Sequence, residues 1–556
     1  MLRSALLASL LALPLGAQSA RPADLIVTNA RIYTVDDSRP VVTAMAIRDG
    51  RIAFTGSASE ALALKGPATR VLDAGGRTVI PGMVDAHAHL LGLGQSLRSV
   101  ALYGAKSYDD VIARVVARAK GIPAGQWILG RGWDQNQWGD TRFPTNEALS
   151  RALPNNPVYL TRVDGHAGLA NAAALRAAGV SSTTKDPSGG RIERMASGEP
   201  TGVFIDNAKG LVERSIPRET REETRAEIRA AIAESQRWGL VGLHDAGESR
   251  GTIDLMEEMA KAGEIPFRLY VMIGDDSASV AHYLARGPQS GLYDNHLWIR
   301  TIKLYADGAL GSRGAALLEP YTDDPANKGL LLSAPAHIQD VSTRALRAGF
   351  QVATHAIGDR GNRLVLDAYE AALKAVPTAD HRFRVEHAQI LNHDDIPRFA
   401  ALGVIPSMQA VHQTSDMYWA GARLGQGRLL GAYAWRSLLE TGIVVPNGSD
   451  FPVEAVNPLL SFHSAVARQD AENWPSGGWM PEQRMTRDEA LKSMTIWPAF
   501  AGFQEATMGS LTPGKLADFV ILDRDIMTVA ERDILGTAVI ATYIGGKPVY
   551  ERAALP

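Results

Sequence analysis

Eight apolar, strand-like runs, each followed by a stretch of helical character, constrain the fold of this chain more than any other feature. Alternating strands and helices favour a parallel α/β architecture. Eight such units are the number that a closed (β/α)8 barrel requires. We therefore predict an α/β fold built on a TIM-like barrel, with strands at 79–84, 239–244, 267–273, 299–304, 351–355, 383–387, 404–408 and 443–450.

Polar side chains that can bind metal lie where these runs end. The carboxyl ends of the strands of such a barrel meet at one face, which carries the chemistry. His87 and His89 share one face of the first strand, and two neutral imidazoles there can hold a divalent metal. An isolated His-x-His is more often an ordinary loop pair, so the metal interpretation depends on the candidates at the other strand ends, which are Lys303, His355, His387 and Asp450.

The composition limits the ligands and partners of the chain. Its 556 residues contain no cysteine, so a metal must be held by histidine, carboxylate or another oxygen ligand. The net charge of -3 gives no electrostatic case for binding nucleic acid or an anionic membrane. We expect a small-molecule substrate, and the oligomeric state is left open, with a homo-oligomer among the options.

The first twenty residues have the pattern of an export signal. A basic start at Arg3 precedes an apolar stretch at 5–15 that is too short to span a bilayer, and small residues follow at 16–20. We predict cleavage near Ser19 or Ala20 and an exported protein, periplasmic or secreted. The alternative is a buried N-terminal helix.

Short strands separated by tight turns occur at both ends of the chain. A hairpin pattern surrounds Asp49 and Gly50, and similar strands return at 517–523 and 538–550. We predict a small β-sandwich domain made from 21–80 plus 505–556. The barrel then comprises 81–106 plus 238–504, and 107–237 forms an inserted lobe over the barrel mouth.

The lobe and the loops after the strands supply candidates for binding substrate. Trp133, Asp134 and His166 combine polar and apolar groups, as a substrate pocket does. Core packing explains Trp133 equally well, and a structural hydrogen bond is the alternative for His166. His244 ends the second strand and either orients substrate or packs in the core. The remaining candidates, with a loop-stabilising ion pair as the alternative, are Asp307 and Arg313.

Six motifs together carry a resemblance to a known family. In combination they are highly specific, and the chain resembles the amidohydrolase superfamily, in particular amidohydrolase family 3, which includes N-substituted formamide deformylases. The resemblance covers nearly all of the chain after residue 20. The motifs are PGMVDAHAH at 81–89, KLYADGALGSR at 303–313, THAIGD at 354–359, VEHAQ at 385–389, GSDFPV at 448–453 and GSLTPGKLADF at 509–519.

This resemblance implies a hydrolytic centre with one or two divalent ions, zinc being favoured. It assigns His87 and His89 to the more buried metal, and His355 and His387 to the second. Lys303 takes the position of a lysine carboxylated by carbon dioxide, which bridges two metals; a salt-bridged or substrate-binding lysine is the alternative. Asp450 binds metal and shuttles the proton. Asp85 is predicted to support the imidazoles. Glu386, which adjoins His387 and is expected to point the other way from the strand, is predicted to be structural.

The function that follows is hydrolysis of a C–N bond of amide type by metal-activated water. Asp450 takes a proton from the water and returns it to the departing amine. The alternatives are a lactone or ester hydrolase, or an isomerase, on the same scaffold. An exported binding protein without turnover ranks third, since it has no need of a shuttle carboxylate.

Overall fold

Eight parallel strands form the centre of the molecule, seen in a computed structural model that describes residues 21–552. Each strand pairs with the next one along the chain, and the eight form a nearly closed barrel. The prediction of a TIM-like barrel is therefore confirmed. The strands are β1 Met83–Ala88, β2 Leu240–Glu248, β3 Arg268–Ile273, β4 Leu297–Tyr305, β5 Gln351–Ala356, β6 Arg384–His387, β7 Ile405–Gln409 and β8 Asn447–Gly448.

Helices cover the outside of the barrel, and one apolar core joins them to the strands. Some of them begin with side-chain caps. In the helix before β2, Thr220 and Glu223 form a reciprocal capping box, which stabilises a helix start by about 1 kcal/mol. The main helices are α1 Leu90–Arg98, α2 Arg221–Arg237, α3 Arg250–Lys261, α4 Ser277–Arg286, α5 Pro335–Ala348, α6 Asp359–Ala375, α7 Ile396–Leu402, α8 Ala410–Asp416 and α9 Pro458–Ala467. Further helices of this part are Leu292–Asn295, Ala420–Leu429, Trp435–Leu439, Arg487–Ser493 and Ile496–Ala501.

Two further sheets pack together, and the larger one combines strands from both ends of the chain. Apolar residues of both, such as Val27, Ile47, Val79 and Phe519, share one core, which matches the β-sandwich of the predicted fold class. The four-stranded sheet contains Leu25–Thr28, Ala44–Arg48, Arg51–Gly56 and Arg70–Asp73. The six-stranded sheet contains Arg31–Tyr33, Val41–Val42, Thr78–Pro81, Phe519–Leu522, Val539–Ile544 and Lys547–Glu551.

A buried ion pair joins this β-rich part to the barrel. Arg268, the first residue of β3, donates from Nε and Nη2 to the two carboxylate oxygens of Asp518, at 3.0 Å each. Asp518 also accepts from the backbone N–H of Gly545 at 2.7 Å. Because the pair lies at the amino ends of the strands, it fixes the β-rich part on the side of the barrel opposite the strand ends that carry the candidate ligands.

The segment between α1 and α2 forms a separate sheet beside the mouth of the barrel. Its core is built around Trp133, Trp138 and Leu160. The exact limits of the domains stay predictions. The strands are Val100–Ala101, Ile128–Trp133, Val158–Arg162, Ala167–Ala170, Gly190–Arg194 and Pro200–Asp206, and the helices are Tyr108–Ala119, Glu147–Ala152, Ala172–Ala178 and Gly210–Glu213.

Two predictions concern membranes and export. None of the helices within 21–552 has the length and apolar character that a membrane crossing requires. The predicted export signal at 1–20 lies outside the described residues.

Candidate metal centre

A cavity of about 1050 Å³ lies at the carboxyl ends of the barrel strands, between the barrel and the lobe. All six predicted metal ligands line it: His87, His89, Lys303, His355, His387 and Asp450. The lobe contributes polar residues to the opposite wall, among them Asp134, Arg162, Asp164 and His166. The strand ends thus gather candidates that are far apart in the sequence.

Three of these side chains form a tight cluster. His87, His387 and Asp450 each offer one ligand atom, and these atoms lie within 4.8 Å of one another. Asp450 Oδ1 is 3.6 Å from His87 Nε2 and 3.1 Å from His89 Nε2. The ring of His355 adjoins the cluster, with its centroid 4.5 Å from that of His387.

Several of the clustered atoms are buried without a hydrogen-bond partner among the described residues. They are His87 Nε2, His355 Nε2 and Asp450 Oδ1, and the last lies 3.1 Å from His89 Nε2 without the geometry of a hydrogen bond. Buried polar atoms are nearly always hydrogen-bonded, so converging orphaned atoms require an explanation. Imidazole nitrogens and a carboxylate oxygen are the ligand atoms that a divalent transition metal prefers in the absence of thiolate. The residues present therefore fit a divalent cation.

The rings of two histidines are held through their Nδ1 atoms. His87 Nδ1 is hydrogen-bonded to Glu386 Oε2, and His387 Nδ1 to Gln409 Oε1 at 2.8 Å. In each case the other ring nitrogen, Nε2, is left to face the cavity, an arrangement typical of metal-binding histidines.

Burial sets the protonation of these imidazoles. It lowers the pKa of His87, and together with neighbouring positive groups it lowers the pKa of His355 and His387 well below the ordinary value. Their neutral form, which binds metal, is thus the stable one. Burial raises the pKa of Asp450, but contacts with His89, His87 and His387 outweigh it and hold that pKa well below its usual range.

Lys303 is fully enclosed beside this cluster. Its Nζ lies 4.2 Å from the centroid of the Tyr305 ring, and no carboxylate of residues 21–552 lies within ion-pair distance of it. Burial lowers the pKa of Lys303 to about 8, because the charged ammonium loses its hydration and the nearest anions restore only part of it. The structure thus gives no partner for a salt-bridged lysine.

Of the six predicted substrate-binding residues, Asp134 and His166 line the cavity. Asp134 forms an ion pair with Arg162, which also pairs with Asp164 at 2.6 Å. His166 Nδ1 lies 2.6 Å from Asp206 Oδ1, and its ring centroid is 5.2 Å from that of His355. Burial lowers the pKa of His166, but the Asp206 carboxylate outweighs it, so the pKa is raised.

The other four candidates do not line the cavity, although Asp307 Oδ1 lies 3.7 Å from His355 Nε2. Trp133 is in the lobe core and donates from Nε1 to the carbonyl of Leu160 at 2.8 Å. Arg313 pairs with Asp323 at 3.0 Å. His244 and Asp307 are both fully buried. His244 Nδ1 accepts a hydrogen bond from Arg384 at 2.7 Å. Asp307 accepts hydrogen bonds from the backbone N–H groups of Ala316, Ile357 and Gly358.

Sequence reasoning placed Asp85 and Glu386 differently from the structure. Asp85 accepts hydrogen bonds from the backbone N–H groups of His87 and Ser449. It therefore holds the main chain at these residues and does not support the imidazole rings. Glu386, predicted to face away from the cavity because it adjoins His387, is bonded to His87. His387 has a φ of 74°, so the strand alternation fails there and both neighbours turn inward.

Two further residues near the cluster lie outside the predicted set of site residues. Gln409 holds His387, and His412 places Nε2 3.8 Å from Asp450 Oδ2. Both belong to the end of β7 and the start of α8. Of these two residues, only His412 had a sequence signal for facing the cavity, namely its position just after a strand.

Comparisons with known proteins agree with this geometry. Protein LONG AFTER FAR-RED 3 of Arabidopsis thaliana is 37% identical over 541 residues, which cover 95% of this chain and 92% of that protein. N-substituted formamide deformylase of Arthrobacter pascens is 31% identical over 555 residues, covering 95% of this chain and 98% of that protein.

A solved structure and a family model extend the comparison. The crystal structure of an uncharacterized metal-dependent hydrolase from Pyrococcus horikoshii superposes with a TM-score of 0.74 and 27% identity, covering 91% of this chain and 99% of that one. The model of the amidohydrolase family matches residues 70–550. These matches support a metal-dependent hydrolase. With barrel, cluster and sequence in agreement, the chain belongs to the amidohydrolase family.

Proposed function

We propose that the protein hydrolyses a C–N bond of amide type in a small molecule, using a divalent metal. The observation that carries the proposal is the convergence of orphaned atoms of His87, His355 and Asp450 in a cavity at the strand ends of an amidohydrolase barrel. The N-substituted formamide deformylase among the relatives supports the choice of a C–N bond.

The residues that would hold the metal are His87, His89, His355, His387 and Asp450. Neutral imidazoles with one carboxylate suit zinc, and the number of histidines allows one or two ions. A divalent ion bound there lowers the pKa of water and polarises a carbonyl oxygen.

The carboxylate of Asp450 is the group that moves the proton. It is ionised and faces the cavity, so it can accept a proton from the water that attacks the carbonyl carbon. An amine is a poor leaving group until it is protonated, and the same carboxyl group returns the proton to the departing nitrogen. Each turnover therefore leaves Asp450 ionised again.

Lys303 is proposed to carry a carbamate. Its amine is buried without a carboxylate partner among the described residues and adjoins several candidate ligands. The ammonium first loses a proton to give the neutral amine. Addition of carbon dioxide to that amine then forms an N–C bond and releases a second proton, so that an anionic oxygen ligand replaces a cation. Electron density on Nζ in a crystal of the metal-loaded protein tests this assignment.

The lobe is proposed to orient the substrate through Asp134 and His166, the two candidates that border the cavity. The export of the protein, a small-molecule substrate, and the absence of nucleic-acid and membrane partners stay predictions.

The deciding experiment compares substrates and metals. Purified protein is stripped with a chelator, reloaded with zinc, and assayed on N-formyl amines, other N-acyl amines, lactones and esters. We expect turnover of the amides, its loss on stripping and its return on reloading. Turnover of lactones or esters alone would contradict the bond assignment, and hydrolysis unaffected by stripping would contradict the metal.

A further inference from the structure

A buried chain of charged groups connects the barrel interior to the candidate metal cluster. Arg384 Nε lies 2.6 Å from Glu386 Oε1, and Glu386 Oε2 is hydrogen-bonded to His87 Nδ1. All three residues have essentially no exposed surface. Since nothing in the mechanism above uses Arg384 or Glu386, a buried ion pair at this position requires its own explanation.

Arg384 is fixed from several directions. Its guanidinium donates to the carbonyl of Ala86 at 2.6 Å, to Ser407 Oγ at 2.9 Å and to His244 Nδ1 at 2.7 Å. These partners belong to β1, β7 and β2, and Arg384 itself begins β6. The guanidinium therefore holds the Glu386 carboxylate at one place relative to four barrel strands.

The carboxylate determines which nitrogen of His87 carries a proton. A carboxylate paired with arginine only accepts hydrogen bonds, so His87 Nδ1 must donate. The lone pair of the imidazole is then on Nε2, the atom that faces the cluster without a partner. Gln409, the partner of His387 Nδ1, differs from Glu386 in this respect. An amide side chain can either accept or donate a hydrogen bond, so it does not by itself impose one tautomer on His387.

We propose that Glu386, anchored by Arg384, is a positioning residue for the metal: it fixes the tautomer and orientation of His87 and thereby sets the affinity of the site for a divalent cation. This inference rests on the proposed function and goes beyond it, since the ligands alone do not require a charged support. Residues that hold a metal-binding histidine in this way typically contribute 10- to 100-fold to metal affinity.

The test measures zinc affinity of the full-length protein by competition with a chelator. Glu386→Gln keeps the shape but loses the charge, and the control Asp518→Asn makes the same change in the buried pair with Arg268, far from the cavity. We expect Glu386→Gln to weaken zinc binding about 10- to 100-fold. Asp518→Asn should lower the Tm of the metal-free protein but leave zinc affinity within about twofold of the wild type.

Two further measurements separate the outcomes. If Glu386→Gln does not fold, Arg384→Met combined with Glu386→Gln removes both buried charges, and the same weakening is expected. Zinc affinity unchanged in whichever variant folds would overturn the role of Glu386 while leaving the proposed function intact. Wild-type protein that takes up no zinc would instead overturn the metal centre itself.

Discussion

Asp85 Oδ2 accepts a hydrogen bond from Ser449 Oγ at 2.6 Å, across 364 positions of sequence. The carboxylate also accepts the backbone N–H groups of Ser449 and His87, at 3.0 Å each. Ser449 follows β8, and Asp85 lies in β1. These bonds therefore close the barrel immediately below the candidate ligands His87 and Asp450.

Replacement of Asp85 by alanine should destabilise this closure. It leaves buried donors of His87 and Ser449 unpaired, and each such group costs about 1–3 kcal/mol. We expect the Tm of the metal-free protein to fall by several degrees, measured by calorimetry. Asp73→Ala, at an exposed strand end of the β-rich part, is the control and should have little effect. Equal Tm values for the two variants would show that the bonds do not hold the barrel closed.

Replacement of Asp450 by asparagine should stop turnover more than it removes metal. The amide cannot accept the proton from water, and loss of a general base costs roughly 10²- to 10⁴-fold in kcat. The histidines remain, so part of the bound zinc should persist in metal analysis. Asp367→Asn, an exposed carboxylate on α6, controls for the loss of one charge. A kcat near that of the wild type would remove Asp450 from proton transfer.

The barrel could be predicted because most of its strands lie in or beside apolar runs, and their residues are buried. The candidate ligands could be predicted because a polar residue stands at the end of such a run, as His355 does in β5 and Asp450 does just after β8. These signals are local in sequence. Each signal indicates that a residue lies at the carboxyl end of a strand. Parallel pairing of the strands then brings these residues to one face of the barrel.

The environment of the ligands could not be predicted from local signals. Glu386 was assigned to the wrong face because strand alternation was extended to His387, whose φ of 74° ends it. His244 ends a predicted strand like a ligand, but β2 continues to Glu248, so the ring of His244 lies inside the barrel against Tyr270. Where a strand stops is set by tertiary contacts, and its last residues are therefore the hardest to orient.

Replacement of His166 by asparagine should weaken catalysis without removing metal. Its ring borders the cavity 5.2 Å from that of His355, and Asp206 favours the charged form, which donates a hydrogen bond to substrate oxygen. Hydrogen bonds to charged groups contribute about 1.5–3 kcal/mol, so kcat/KM should fall roughly 10- to 100-fold. Steady-state kinetics and zinc analysis check this; loss of zinc, or unchanged kinetics, would contradict a role in holding substrate.

Glu454 lines the cavity and accepts from Ser415 Oγ at 2.6 Å. Burial raises its pKa to about 8, and the nearby carboxylates of Asp416 and Asp450 add to the effect. In the unfolded chain a glutamate ionises near pH 4.3. Between about pH 4 and pH 8 the folded protein thus binds a proton that the unfolded chain has released.

Glu454 should therefore make the metal-free protein less stable as the pH rises. The unfolded state binds fewer protons than the folded state in this window, so the free energy of unfolding falls with increasing pH. Glu454→Gln mimics the protonated form and removes this contribution. We expect the variant and the wild type to have similar Tm values at pH 4 to 5, with the variant more stable at pH 8 by on the order of 1 kcal/mol or more. Calorimetry at both pH values tests this, with Ser415→Ala as a control that keeps the carboxyl group and its pH dependence. A Tm difference between Glu454→Gln and wild type that does not change with pH would mean that Glu454 is already ionised in the folded cavity at neutral pH.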